Sequence, residues 1–316
     1  MVGTSTLEEG EHRLWHSPVM ADVVTSFLIT PTTRVIVDCT VGTAGHALEM
    51  LKAASDEAVL IGIDMDRSAL QIASERLASF GDRVMLRHGN FADLPRLVGT
   101  YTGQVDALLI DCGISKLQIV LPDRGFSFDQ EGRLDMRFDT ESSVTAAQVL
   151  GSISFPELRS LLSSFGESRA GAIARSIIRR RERGELSTTA DLAGAVKAVV
   201  KTRQAKSLAR VFLAIRAYVN RELENLRLAL EVLKDVLSKG GRACVVTYHS
   251  AEDVIVKTAF RKYSGKCVCP PGAVACTCGK AEVFKLLTRK PLVPSADEIR
   301  ANPSARSAKI RVVEKM

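Results

Sequence analysis

The chain has 316 residues, 46% of them hydrophobic and 25% charged, enough for a full core in one domain plus an insertion. No apolar run approaches the ~20 residues that span a bilayer, and the polar, acidic start M-V-G-T-S-T-L-E-E-G-E-H lacks a signal-peptide layout, so a cytoplasmic protein is expected. Seven cysteines in this length exclude a secreted disulfide framework, and 43 Lys and Arg against 36 Asp and Glu leave a net charge of +7.

In chain order, β-rich apolar runs are predicted at 34–38, 59–64, 84–88, 105–111 and 243–248. Helical patterns of suitable length fall between the first four, at 47–54, 67–80 and, more weakly, 91–97. This alternation predicts an α/β fold with a parallel, doubly wound sheet. Each run ends at or beside a polar residue (Asp38, Asp64, His88, Asp111, His249), where such sheets bind ligands.

The alternation stops between about Gln118 and Lys206. A loop at 123–139 is followed by helical runs at 146–150, 156–165, 170–183 and 189–200, some opened by capping residues such as Ser154. The expected division is an α/β domain at 1–117 and 207–316 with a helical insertion at 118–206. A long helix at 208–237, stopped by Gly240-Gly241, leads back to the sheet. Runs at 283–288 and 308–313 suit an antiparallel terminal hairpin. Between Phe165 and Arg216 stand twelve basic residues and four acidic ones, a local charge of +8 that leaves the remainder near −1. Such a zone suits a polyanion, most simply nucleic acid, although a solvated helix face has the same composition.

V-D-C-T-V-G-T-A-G-H follows the first strand, and Asp64 and Asp66 close the second, the spacing of a nucleotide-binding βαβ unit. Gly42, Ala44 and Gly45 let backbone approach a ligand, and an acid at the second strand's tip can accept from ribose hydroxyls. The loop reads G-x-A-x-x-A rather than the G-x-G-x-x-G that cradles a dinucleotide pyrophosphate, and Asp38 would repel one. A carboxylate there instead helps hold the cationic end of S-adenosylmethionine. Asp38-x-Thr40-x-Gly42-x-Ala44 is similar to the first motif of Rossmann-like methyltransferases.

Asp111, with Ser115, closes the fourth strand, either as a proton acceptor for a substrate amine or as a cofactor contact. In the 123–139 loop, Arg124, Phe126, Phe128, Asp135 and Arg137 suit either base stacking or anchoring of the loop. His249 is a candidate for the substrate side, with Ser250 as helix cap and Asp253 completing it. Cys39, Cys112 and Cys244 read as small buried residues. Cys267-x-Cys269 and Cys276-x-Cys278 could bind zinc, but C-x-C is tighter than usual zinc spacing, and free thiols are the other reading. No metal ligand is assigned.

With these motifs in hand, the chain resembles the RsmH (MraW) family of bacterial 16S rRNA cytosine-N4 methyltransferases. The likeness runs from His16-Ser17-Pro18-Val19, through H-G-N-F (88–91), R-G-F-S-F (124–128), L-D-M-R-F-D (134–139) and Y-H-S-A-E-D-V-I-V-K (248–257), to N-P-S-A-R-S (302–307). The resemblance implies a Rossmann-like S-adenosylmethionine-dependent methyltransferase sheet with an inserted helical domain, acting on the N4 amine of a cytidine in 16S rRNA near the decoding centre. Carried over by position, Ala44, Gly45, His46, Asp64, Phe91, Asp111 and Gln118 would contact S-adenosylmethionine. Asp111 would be catalytic, and Arg137, Lys206, Arg210 and His249 would face the RNA. The implied partner is 16S rRNA or the small ribosomal subunit; dimerisation is left open.

Three departures stand out. Ala44-Gly45-His46 replaces the family's common Gly-Gly-His, Lys116-Leu117 replaces Ser-Pro, and K-S-L-A-R-V-F-L-A (206–214) replaces a His-Pro-Ala-Thr-Arg segment. The last two keep a silent RNA-binding assembly factor, or an amino-methyltransferase for another nucleic acid, as alternatives.

Overall fold

The computed structural model describes residues 18–273 and 275–316. The acidic segment 1–12 and the motif residues His16 and Ser17 lie outside the described residues. Elements run α1 (Ala21–Leu28), β1 (Val35–Asp38), α2 (Gly45–Ala53), β2 (Val59–Asp64), α3 (Arg67–Leu77), β3 (Val84–His88), α4 (Leu94–Val98) and β4 (Val105–Asp111). There follow α5 (Lys116–Val120), α6 (Ala146–Ser152), α7 (Phe155–Ser164), α8 (Ala170–Glu182), α9 (Thr189–Val199), α10 (Gln204–Val219) and α11 (Glu222–Val236). The chain closes with β5 (Leu237–Thr247), α12 (Ser250–Tyr263), β6 (Phe284–Leu286), α13 (Ala296–Ala301) and β7 (Lys309–Lys315). No helix among the described residues is long and apolar enough to cross a membrane.

Alternating side chains of one sheet explain the α/β unit, which comprises the chain up to Gly113 and from Leu223 onward. The seven strands order as β3-β2-β1-β4-β5-β7-β6, parallel from β3 to β5, with β7 antiparallel to both β5 and β6. Val37, Ile63, Leu108, Ile110 and Val245 fill one face with Leu226, Leu233, Val256 and Phe260 from α11 and α12. Ile36, Leu60, Leu109, Val246 and Ile310 fill the other with Val24, Leu28, Met50 and Leu77 from α1, α2 and α3. Burial on both faces is why these strands read as continuous apolar runs. At Gly62 an added Cβ would stand 2.7 Å from a Leu86 methyl, so a larger residue there would force Leu86 to repack.

The helical unit, Ile114–Glu222, has its own core of Leu134, Met136, Leu150, Leu158, Ile173, Ile177, Leu192, Val196, Val211 and Ile215. Its borders differ from the expected 117/118 and 206/207. Helix α10 buries Leu208, Val211, Phe212 and Ile215 in that core, which moves the return border to Glu222. The expected helix 208–237 is also two helices. Asn220 donates to the Met136 and Arg216 carbonyls at 2.7 and 2.9 Å and accepts from the Phe138 amide at 2.7 Å; Arg221 then turns left-handed at φ 51°. These side-chain bonds pull the backbone out of its helical path.

The helix cap after β5 is also reassigned. Glu252 accepts from the Tyr248 and His249 amides at 2.8 and 3.3 Å, which makes His249 the N-cap of α12 instead of Ser250. Asp253 is released to accept from Arg311 on β7 at 2.7 and 3.3 Å, with Lys309 at 3.5 Å. Burial alone would raise the Asp253 carboxyl, but its bonds to Arg311 and the charges of Arg311 and Lys309 hold it below its ordinary value. Its stabilisation is therefore present above the unfolded carboxyl value of about 3.9 and is lost as pH falls through the lower folded value. Asp253→Asn should cost about 3 kcal/mol at pH 7, because it leaves Arg311 buried without its charge. In denaturant titrations that deficit should shrink below about pH 4, where the unfolded wild-type carboxyl takes up a proton, and close as pH falls through the lower folded value. A deficit equal at both pH values would overturn this account.

Candidate active site

The strand order reverses between β1 and β4, which makes the carboxyl ends of those strands the crevice where such sheets take ligands. Three acids end there: Asp38 on β1, Asp64 on the adjoining β2 and Asp111 on β4. The loop after β1 laces them together. Its Thr40 hydroxyl accepts from the Asp111 amide at 2.8 Å, and its Gly42 amide donates to the Asp64 carboxylate at 2.8 Å. Asp38 accepts from the Thr40 amide at 3.1 Å, and the second Asp64 oxygen accepts from the Asp66 amide at 2.9 Å. Asp66 itself caps α3.

Gly42 and Ala44 both lie left-handed, at φ 51° and 65°, and Ala44 opens α2 as its N-cap. Glycine takes that conformation freely, whereas alanine bears a steric cost, so Ala44 is a strained position. Gly45 packs against Pro18; an added Cβ would come within 3.3 Å of it.

His46, on the first turn of α2, places its Nε2 at 3.5 Å from one oxygen of Asp111. The Tyr248 hydroxyl donates to the other at 2.9 Å. Gly113, at φ 138°, carries the chain past the Tyr248 ring, where a Cβ would stand 3.4 Å away. Asp111 is thus fixed from two sides and keeps lone pairs to accept from a third partner.

Burial sets the electrostatics. It pushes Asp38 up to about 7 against the opposing pull of His46 and the Thr40 amide, and Asp64 up to about 6 against the amides it accepts from. Burial lowers His46, but the hydrogen bond and charge of Asp111, with the charge of Asp38, outweigh it and leave the imidazole above its ordinary value. The Tyr248 hydroxyl is raised by burial and by Asp111, which keeps it a donor. Carboxylates beyond their usual range in a dry crevice suit a cationic ligand, whose charge restores their ionisation.

Of the sequence candidates, Ala44, Gly45, His46, Asp64 and Asp111 come together here. Phe91 opens a short 3-10 turn after β3, capped by Asn90, and packs on the core face that holds Leu94 and Leu97. The His249 ring lies 2.8 Å from Glu252 and is committed to the start of α12. Gln118 belongs to the helical unit, where it forms a capping box with Ser115. In the same unit Arg137 grips Asp135 at 2.8 and 2.6 Å and donates to the Thr140 and Ser142 carbonyls, so it braces its own loop. Phe126 stacks on Phe138 and Phe128 meets Phe212 edge-on, which favours the anchoring reading of that loop. Lys206 is exposed; Arg210 is exposed too, with Glu167 at 3.9 Å. Thr40 and Tyr248 stand within the sequence motifs, which assign them no role in the site. A tyrosine at the end of a buried strand was the available signal, because its hydroxyl must find a partner.

A description of the MraW methylase family matches residues 13–316. The Ribosomal RNA small subunit methyltransferase H of Syntrophotalea carbinolica is 43% identical over 307 residues, covering 95% of this chain and 98% of the relative. Proteins of the same name from Desulfosudis oleivorans and Carboxydothermus hydrogenoformans are 39% and 41% identical, each match covering 95% of this chain and 99% and 98% of those proteins. On this full-length match, and with a crevice suited to a cationic nucleoside, the chain belongs to the MraW methylase family, with S-adenosylmethionine as its methyl donor.

Proposed function

We propose that this protein methylates the N4 amine of a cytidine in 16S rRNA, near the decoding centre, with the rRNA or the small ribosomal subunit as its partner. The observation that carries this reading is Asp111, a carboxylate clamped by Tyr248 and His46 at the β1/β4 crevice. The names of the relatives, all small-subunit rRNA methyltransferases, support the substrate class.

When bound, S-adenosylmethionine supplies an electrophilic methyl on a sulfonium. Asp64 would accept from the ribose hydroxyls through lone pairs left over from the Gly42 and Asp66 amides, and Asp38 would face the cationic end. Cytosine N4 is a weak nucleophile, since its lone pair delocalises into the ring. Asp111 would accept a hydrogen bond from the amine, localise that lone pair and receive the proton as the new N–C bond replaces the sulfonium's S–C bond, leaving a neutral thioether. Tyr248 and His46 hold its oxygens in place, so that the gain is largely one of position. The base must leave any stack to reach the crevice.

The helical unit is the proposed RNA-recognition domain. Of its twelve basic residues between Phe165 and Arg216, Arg181 donates to the Leu150 and Ile153 carbonyls, Arg216 pairs with Glu222, and Arg180 packs against Gly194. The other nine are exposed, among them Lys206 and Arg210, and a polyanion is the natural counterpart of such a surface.

Three measurements test the reading. Labelled methyl from S-adenosylmethionine should enter under-methylated 30S particles at one cytidine, located by mass spectrometry, and Asp111→Asn should slow that transfer by about 10²–10³-fold. Methylation of a different nucleotide would sink the assignment. Asp64→Ala should weaken S-adenosylmethionine binding by about 10²-fold or more, the loss of two charge-assisted hydrogen bonds; unchanged calorimetric affinity would remove Asp64 from the site. Because Asp38 titrates near 7 and a cationic ligand favours its ionised form, affinity should rise from pH 6 to 7.5, by up to about tenfold per unit. Asp38→Asn should flatten the profile, and a flat wild-type profile would contradict the role given to Asp38.

A further inference from the structure

Four of the seven cysteines are not buried strand residues. Cys39, Cys112 and Cys244 are buried, but Cys267 and Cys276 are exposed and Cys269 and Cys278 half-buried, all in the connection between α12 and β6. That connection is pinched at its base. Gly265 donates to the Ala281 carbonyl at 2.9 Å, Ala281 to Lys262 at 3.0 Å and Val283 to Tyr263 at 2.8 Å. Beyond the pinch no described residue from 266 to 280 is buried, so this excursion has no apolar core to hold it. What it does have is sulfur: the four Sγ atoms all lie within 4.8 Å of one another, and those of Cys276 and Cys278 are 3.5 Å apart.

The local chain explains the convergence. Each C-x-C pair keeps its two thiols within one short stretch, and the chain bends at Cys269 and at Cys278. Pro270-Pro271 and Gly272, left-handed at φ 85°, turn the chain between the pairs. Four thiolates around zinc at about 2.3 Å stand about 3.8 Å from each other. The observed spacing brackets that value, so the C-x-C strain expected from sequence is met by bringing two pairs to one point.

We propose that Cys267, Cys269, Cys276 and Cys278 form a tetrathiolate zinc site that holds the α12–β6 excursion. All four positions are filled by protein, so the site is structural and leaves no place for a catalytic water. Binding releases thiol protons to solvent and leaves a centre of charge −2. Lys262 lies against the loop, its Cε 3.9 Å from where a Gly279 Cβ would sit, and Lys266 and Lys280 flank the cysteines in sequence. Redox-inert zinc suits so exposed a cluster better than iron, whose thiolate complexes are open to oxidation.

The test uses the full chain without an affinity tag, produced in zinc-supplemented medium and passed through gel filtration. Elemental analysis should find one zinc per chain, and the Cys276→Ser, Cys278→Ser pair should lose it. Wild type stripped by a chelator and given cobalt(II) should develop the intense visible bands of tetrahedral tetrathiolate cobalt, a readout independent of how the variant folds. Stripping should also make the α12–β6 connection open to protease while the remaining chain resists, and zinc should reverse this. Metal-free wild type that shows no cobalt bands, stoichiometric iron, or four cysteines recovered as two disulfides from freshly prepared protein would each overturn the proposal.

Discussion

Carboxylates gathered at the ends of three strands, one buried and two half-buried, are the constraint around which the α/β unit is arranged. A buried carboxylate costs several kcal/mol unless its oxygens are satisfied; loop amides after β1 reach those of Asp38 and Asp64, and Tyr248 and His46 reach those of Asp111. Gly42 supplies an amide to Asp64, Thr40 an amide to Asp38, and the Thr40 hydroxyl takes up the Asp111 amide. The same bonds fix the separation of β1, β2 and β4 at their carboxyl ends. Shape and charge of the crevice therefore come from one set of interactions, and a change in the loop alters both together. The strained Ala44 belongs to this set.

The helical unit uses its charge in two ways. Arginines at 137, 181 and 216 spend their donors on nearby carbonyls and carboxylates, replacing the sheet this unit lacks with side-chain ties between loop and helix. Of the exposed basic residues, Arg169 also donates to the Val199 carbonyl and Arg210 has Glu167 at 3.9 Å, yet as a group they project a positive field into solvent. Attraction of that kind acts at a distance and weakens with salt, so it favours encounter more than selection of a sequence. In the proposed reaction, selection falls to the crevice at Asp111.

Much of the α/β unit was legible in the sequence because its strands are apolar runs closed by a polar residue, and β2, β3 and β4 begin and end where those runs do. The acids at their tips were legible for the same reason: a charge after such a run has few other places to go. The break at Asn220 was not, because the apolar period continues through it and its cause is hydrogen bonding to residues 136 and 138, more than eighty positions away. The border at Glu222 was missed with it. Arg137 reads as an RNA contact until Asp135 is seen beside it. At the end of β5, His249 drew attention by its chemistry, whereas Tyr248, one residue earlier, holds Asp111.

One feature of the sheet bears on how the chain is made. Strand β7 lies between β5 and β6, and its Lys309 pairs with Thr247, so β5 must wait for a neighbour synthesised about sixty residues later. At translation rates of ~5–20 residues per second, that leaves one edge of an otherwise assembled parallel sheet open for about 3–12 s. An unpaired edge is where strands from other molecules join. The nascent protein is thus most exposed to misassembly late in its synthesis, and loss of the last strand would make that transient hazard permanent.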